Sequence, residues 1–179
     1  EISGGYIWKV DRADPGESTF TVGSDIEGFR AQALNWVYPK SPGSETARDG
    51  QKATVEQEAW VVNYFNQFIN TLASPDINDP NGYSKYIDPV SWVDHHMLNV
   101  LMMNVDALRL SGFLFKDREG LIEHGPVWDF DRSAESTDNR DDNPLTLRSH
   151  VPDDYGTDFF ASCIPECKQL APDWWAKLF

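Results

Sequence analysis

The spacing of hydrophobic positions changes near residue 54. Before that point apolar and polar residues alternate, which predicts strands over residues 4–11, 18–22 and 33–38. After it, apolar residues recur every three or four positions, which predicts an amphipathic helix over residues 54–72. Thr54 and Gln57 have the spacing of a capping box, so we expect the helix to begin there.

Two further elements follow along the chain. Asp88 as cap and Pro89 as first helical residue predict a second helix that runs to about Met103. Residues 113–116 and 121–124 then read as the two strands of a hairpin around a four-residue loop closed by a glycine. The predicted fold class is therefore α+β, with helices packed around a small antiparallel sheet.

The hairpin brings distant carboxylates together. If its centre lies between residues 118 and 119, facing residues have numbers that sum to about 237, so Asp106 faces Asp131, and a small slip brings Asp129 there instead. Asp129 and Asp131, two apart on an extended chain, should also point to the same side. Clustered carboxylates need a cation or a proton, and Mg²⁺ suits them. The simpler alternative is that Asp129 and Asp131 flank a turn and Asp106 caps a helix.

Composition restricts the classes of function. The 179 residues suffice for one domain, and the balance of 15 Lys and Arg against 29 Asp and Glu gives a net charge of −14. Such a charge repels a phosphate backbone, so we expect no nucleic-acid partner. No window of apolar residues is long enough to predict a membrane span. Cys163 and Cys167 could form a small local disulfide or remain free thiols.

Three stretches, in this order, carry a family resemblance. They are Gly-Gly-Tyr-Ile-Trp-Lys-Val-Asp-Arg at residues 4–12, the segment from Ser91 to Asp106, and Phe-Leu-Phe-Lys-Asp at 113–117 leading to Gly-Pro-Val-Trp-Asp-Phe-Asp at 125–131. Together they resemble the spore-coat protein H (CotH) kinase family over most of the chain. The resemblance implies the catalytic half of a protein-kinase-like fold, and an atypical kinase that transfers the γ-phosphate of ATP to Ser or Thr of a protein.

The resemblance also implies roles for particular residues. Asp106 takes the place of the catalytic-loop aspartate, which positions a substrate hydroxyl or accepts its proton. Asp129 takes the place of the metal-binding aspartate of Asp-Phe-Gly, and Asp131 is a second candidate ligand for Mg²⁺ or Mn²⁺ and the nucleotide. Ser111 falls where kinases have an asparagine that helps to hold a second metal, and a hydroxyl is a poorer ligand.

One part of the kinase pattern is missing. No glycine-rich loop followed by a strand lysine occurs in the chain, and Lys9 comes too late to serve as that lysine. We therefore interpret residues 1–179 as a partial domain that lacks its N-terminal nucleotide-covering part and is inactive alone. The resemblance further implies a bacterial protein that is secreted or at the cell surface, in the spore coat for the namesake members. The acidic surface favours a basic protein substrate.

Two other functions stay open at this stage. The oxygen-rich segments 76–81 and 138–142 could bind Ca²⁺ in an extracellular or cell-surface binding module, although neither has the regular spacing of a calcium loop. Asp106 and Asp129 could instead be the acid and base of a glycoside hydrolase. We expect packing or surface roles for His95 and His96, because neighbours on a helix point in different directions, and we expect Trp128 to pack beneath the carboxylates.

Overall fold

The computed structural model describes most of the first 134 residues. The described residues are 2–24, 26, 31–48, 50–73, 76, 78–104, 106 and 110–134. Cys163, Cys167 and the acidic segment 138–142 lie outside them. No helix within these ranges is both long and apolar enough to span a membrane.

An antiparallel sheet of five strands forms the centre of the described structure. The strands lie in the order β2-β3-β1-β4-β5, and every neighbouring pair is antiparallel. Two α-helices complete the α+β architecture, so the predicted fold class is confirmed at this level. The elements are β1 (Tyr6–Val10), β2 (Thr19–Val22), β3 (Gln32–Tyr38), α1 (Val55–Leu72), α2 (Pro89–Leu101), β4 (Gly112–Lys116) and β5 (Ile122–His124).

Helix α1 begins as its sequence predicts and covers one face of the sheet. The Thr54 side chain accepts a hydrogen bond from the Gln57 N–H at 3.1 Å, and the Gln57 side chain accepts one from the Thr54 N–H at 2.8 Å. The ring of Phe65 meets that of Trp8 edge-on, with centroids 5.0 Å apart. Alternate strand residues and one stripe of the helix are buried together, which removes apolar surface from water. The largest fully buried side chains of the described structure, which include one on α2 and one in the turn before it, are Trp8, Trp36, Trp92, Tyr6, Tyr83, Phe65 and Phe68.

Helix α2 is anchored to the edge of the sheet at β5. The Asp88 carboxylate caps the helix by accepting from the Val90 N–H at 3.1 Å. The carbonyl of Ile122 accepts from the Asp88 N–H at 3.0 Å and from the Trp92 indole N–H at 3.0 Å. This arrangement occupies part of an otherwise open strand edge. It also fixes the position of the C-terminal end of α2, where the candidate site begins.

The hairpin register differs from the prediction by one residue. Leu114 pairs with His124 and Lys116 with Ile122, so the numbers of paired residues sum to 238 rather than 237. The difference arises because Leu121 stands between the turn and β5 as an additional unpaired residue. Extended beyond the strands, the corrected register places Arg132 rather than Asp131 opposite Asp106. Helix α2 is also shorter than predicted, since it ends at Leu101 and Met102 is its cap.

Candidate functional site

The candidate site lies where the chain leaves α2, enters β4 and leaves β5. Three residues without the freedom of glycine adopt positive φ angles at these points: Met103 (51°), Ser111 (59°) and Asp129 (61°). Such conformations cost about 1–3 kcal/mol each and persist only where the surrounding structure holds them. Strained backbone clustered at one end of a hairpin is typical of functional sites.

Ser111 and Asp129 are joined directly. The hydroxyl of Ser111 donates to Oδ2 of Asp129 at 2.9 Å, and Ser111 is only 4% exposed. Asp129 is exposed, so one carboxylate oxygen is held by the protein while the side chain as a whole reaches solvent. This fixes the orientation of Asp129 without enclosing it.

Asp131 lies close enough to Asp129 for the two carboxyl groups to interact strongly. The pKa of Asp131 is raised, chiefly by a hydrogen bond with the Asp129 side chain and then by desolvation and by repulsion from Asp129, while Arg132 opposes the shift and Asp106 adds to it. The two aspartates thus interact, as expected. The expectation assumed that the chain is extended between them, and that reason was wrong. Asp129 has a left-handed conformation (φ 61°), so the chain at this point is not extended.

Asp106 is held by an arginine that the sequence did not point to. Nη1 of Arg132 donates to both carboxylate oxygens of Asp106, at 3.1 and 3.3 Å, and both side chains are partly buried. Both contacts come from the same nitrogen, so the guanidinium holds the carboxylate as one charged donor rather than as a two-nitrogen fork.

Asn104 connects the two carboxylate-bearing segments. Its Oδ1 accepts from the Asp106 N–H at 3.3 Å, and its Nδ2 donates to the Asp129 carbonyl at 3.4 Å and to Oδ1 of Asn99 at 3.1 Å. Asn104 is 2% exposed and Asn99 is 3% exposed. Neither residue was among the sequence candidates: Asn104 follows a helix, where asparagine is an ordinary turn residue, and Asn99 lies within α2 without a local signal of its contacts.

Three histidines lie beside this network: His95 and His96 are buried, and His124 is half-buried. The rings of His95 and His124 stack with centroids 3.7 Å apart, and Trp92 meets His124 edge-on at 5.1 Å. Burial lowers the pKa of His95 and of His96 to about 4, and burial with repulsion from both lowers the pKa of His124 well below its usual value. All three are therefore neutral at pH 7. Packing roles for His95 and His96 agree with the structure, but the stacked pair was not predicted.

Trp128 does not pack beneath the carboxylates. Its side chain is 54% exposed and meets only the edge of the Phe113 ring, with centroids 5.7 Å apart, among the ring contacts of the described residues. The prediction was wrong because β5 ends at His124 and residues 126–128, which follow Gly125 (φ 145°), are all exposed. Trp128 instead extends the surface next to Asp129.

The carboxylates at this end of the hairpin are oxygen donors of the kind that a hard cation prefers. Within the described ranges no group of three or more His, Cys, Asp or Glu side chains is placed to hold a metal ion. Mg²⁺, however, needs only one or two carboxylates, with water and substrate phosphate as its other ligands. Asp129 and Asp131 provide two neighbouring carboxylates, and the pKa of Asp131 is raised by a hydrogen bond with the Asp129 side chain, by desolvation and by repulsion from Asp129. A divalent cation would relieve that repulsion.

Calcium binding by segment 76–81 gains no comparable support from its described residues, 76 and 78–81. The Asp76 carboxylate accepts from the Asn78 N–H at 2.8 Å, and the Asp79 carboxylate accepts from the Asn81 N–H at 2.8 Å. These are local turns in which each aspartate binds its own backbone. The second acidic segment, 138–142, lies outside the described residues.

Comparison with known proteins supports the family resemblance. No curated protein and no solved structure gave a significant match. The sequence profile of the family described as CotH kinase protein matches residues 4–170. The match covers nearly the whole chain and includes Asp106, Asp129 and Asp131. The chain therefore belongs to the CotH kinase family.

Proposed function

We propose that this chain is the catalytic half of an atypical protein kinase that transfers the γ-phosphate of ATP to Ser or Thr of a protein. The proposal rests on two groups of contacts at one end of the hairpin. Asp129 interacts with Ser111 and Asp131. Asp106 interacts with Arg132. Phosphoryl transfer requires mainly positioning and neutralisation of charge, which these groups are suited to provide.

Each side chain has a distinct part in the proposed reaction. Asp129 and Asp131 bind Mg²⁺ or Mn²⁺, and Ser111 orients Asp129 through its hydroxyl. The metal, when bound, neutralises negative charge on the β- and γ-phosphates of ATP. Asp106 positions the substrate hydroxyl and accepts its proton, and Arg132 holds the Asp106 carboxylate in place.

The phosphates need further cover from outside this chain. Lys9, the lysine on β1, pairs with Glu17 at 3.0 Å and contacts Asp14 at 3.8 Å, so it is engaged away from the carboxylates. We therefore propose that a preceding part of the same domain supplies the nucleotide-covering loop and its lysine. The net charge of −14 favours a basic protein substrate. A secreted or cell-surface location, such as the spore coat, accords with the family.

Nucleotide binding tests both the proposed function and the proposal that residues 1–179 are only part of the domain. Calorimetry with MnATP should give a saturable isotherm for the full-length protein that carries this chain, and little heat for residues 1–179 alone at micromolar concentration. Asp129→Asn in the full-length protein should abolish binding. Asp117→Asn is the matched control, because Asp117 is exposed in the turn at the opposite end of the hairpin. Equal binding by both variants contradicts the site, and tight binding by residues 1–179 contradicts the partial domain.

A further inference from the structure

A single buried amide joins three segments of the candidate site. Asn104 contacts the last turns of α2 through Asn99, the loop of Asp106 through its backbone N–H, and the segment after β5 through the Asp129 carbonyl. The Asn104 N–H also donates to the Asn99 carbonyl at 3.0 Å. All the polar atoms of the Asn104 side chain are therefore used, and each bond goes to a different segment.

The hydrogen bonds from Asn104 to Asp106 and Asp129 hold backbone atoms of these residues and do not involve their carboxylates. Neither the N–H of Asp106 nor the carbonyl of Asp129 takes part in the proposed chemistry, but their positions decide where the two carboxylates stand. A carboxamide offers an acceptor and two donors on one short side chain. An aspartate of the same size lacks the donors, and an alanine lacks both, so no other residue of this size makes all three contacts.

Asn99 fixes which way the Asn104 amide is turned. Its Nδ2 donates to the His95 carbonyl at 2.9 Å and lies 3.1 Å from Nδ1 of His95, so its Oδ1 is left to accept from Asn104. The His95 ring is itself held by stacking on His124. A continuous set of contacts thus runs from β5 through α2 to both carboxylate segments.

We propose that Asn104 is a positioning residue that sets the spacing of Asp106 and Asp129, and that Asn99 supports it. The inference rests on the proposed function, because the spacing matters for transfer between a nucleotide held at Asp129 and a hydroxyl held at Asp106. Misplacing reacting groups by about 1 Å can cost about 10²-fold in rate. A residue that acts in this way changes kcat while leaving substrate affinity nearly intact.

The test uses the full-length protein and three alanine variants. Asn104→Ala should lower kcat by about 10²-fold with the KM values for ATP and protein substrate little changed, and Asn99→Ala should lower kcat less, in the same direction. Asn66→Ala is the control: Asn66 also ties distant segments, by accepting from the Gly23 N–H at 2.8 Å, but it does so next to β2, at the other edge of the sheet. It should lower the melting temperature and leave kcat unchanged.

Two outcomes overturn the proposal. One is full kcat in Asn104→Ala despite lowered stability, and the other is an equal kcat loss in Asn66→Ala. Amide hydrogen exchange provides a readout that does not depend on kinase activity: Asn104→Ala should speed exchange at Asp106 and over residues 129–132, and Asn66→Ala should not. If the wild type transfers no phosphate, the proposed function fails, and the exchange data still decide whether Asn104 fixes both segments.

Discussion

Ser111 donates a hydrogen bond to the Asp129 carboxylate across 18 residues of sequence, and both residues have left-handed backbone conformations. The two strained residues therefore hold each other in place. Ser111 comes directly before β4 and Asp129 follows β5, so the bond closes the open end of the hairpin. The orientation of the candidate metal ligand is thus tied to the backbone geometry of both strands.

Substitutions at Ser111 should separate hydroxyl from backbone effects. Ser111→Gly and Ser111→Ala both lose the bond to Asp129, but only glycine accepts a φ of 59° without a steric cost. We expect Ser111→Ala to be less stable than Ser111→Gly by about 1 kcal/mol in urea denaturation. Both should bind Mn²⁺ more weakly than the wild type. Equal stability of the two variants would mean that the backbone at residue 111 relaxes.

Asp129→Asn should affect metal response rather than folding. The change removes repulsion with Asp131, and asparagine tolerates the φ of 61°, so stability in chelator should stay the same or rise. Stabilisation by excess Mg²⁺ or Mn²⁺ should disappear. Thermal melts of wild type and variant in chelator and in metal measure both effects. A lower melting temperature in chelator with the metal response intact would make Asp129 a structural residue.

The buried histidines should make stability fall in mild acid. The unfolded chain takes up protons below about pH 6.5, whereas His95 and His96 have folded pKa values of about 4. Their contribution is therefore complete above pH 6.5 and is lost as the pH falls towards 4. Each can lower the free energy of unfolding by up to about 1.4 kcal/mol per pH unit in that window.

A substitution at His96 identifies one source of this pH dependence. His96 is 3% exposed, and its Nδ1 has no hydrogen-bond partner among the described residues. His96→Leu removes a group that must stay neutral in the fold, so the loss of stability between about pH 7 and about pH 5.5 should become smaller. Urea denaturation at the two pH values measures it. An unchanged difference would assign the effect to other groups.

Gly4 should be intolerant of a methyl group. A Cβ at Gly4 would lie within 3 Å of three backbone atoms, the carbonyl carbon and oxygen of Asp117 and the nitrogen of Arg118, which cannot move without distorting the hairpin turn. We expect Gly4→Ala to cost about 1–3 kcal/mol. Gly43→Ala is the control, because a Cβ there meets nothing within 4 Å, and it should change stability by less than about 0.5 kcal/mol. Similar losses in both would refute the steric explanation.

The sequence predicts the parts of this fold whose signals are local. The capping box at Thr54 and the Asp88-Pro89 start of α2 depend on residues within one turn, and both are present in the structure. The hairpin could be located for the same reason. Its register could not be predicted correctly, because the additional position of Leu121 depends on how β5 meets residues 86–88.

The contacts missed at the site depend on the path of the chain between elements. Arg132 reaches Asp106 only after the turns that follow β5, and Asn104 finds Asp129 only because α2 ends beside that segment. The corrected register is the one signal that could have pointed to Arg132. The stacking of His95 on His124 likewise requires α2 to pack against β5, which no spacing within either element encodes.

Phosphate transfer by the full-length protein tests the central proposal most directly. With radiolabelled ATP, Mn²⁺ and a basic protein substrate such as histone, the wild type and Asp117→Asn should label Ser or Thr at equal rates. Asp106→Asn and Asp129→Asn should each reduce the rate by about 10²-fold or more. Label transfer at undiminished rates by both site variants, or none by a wild type that binds MnATP, would contradict the assignment of this hairpin end as a kinase active site.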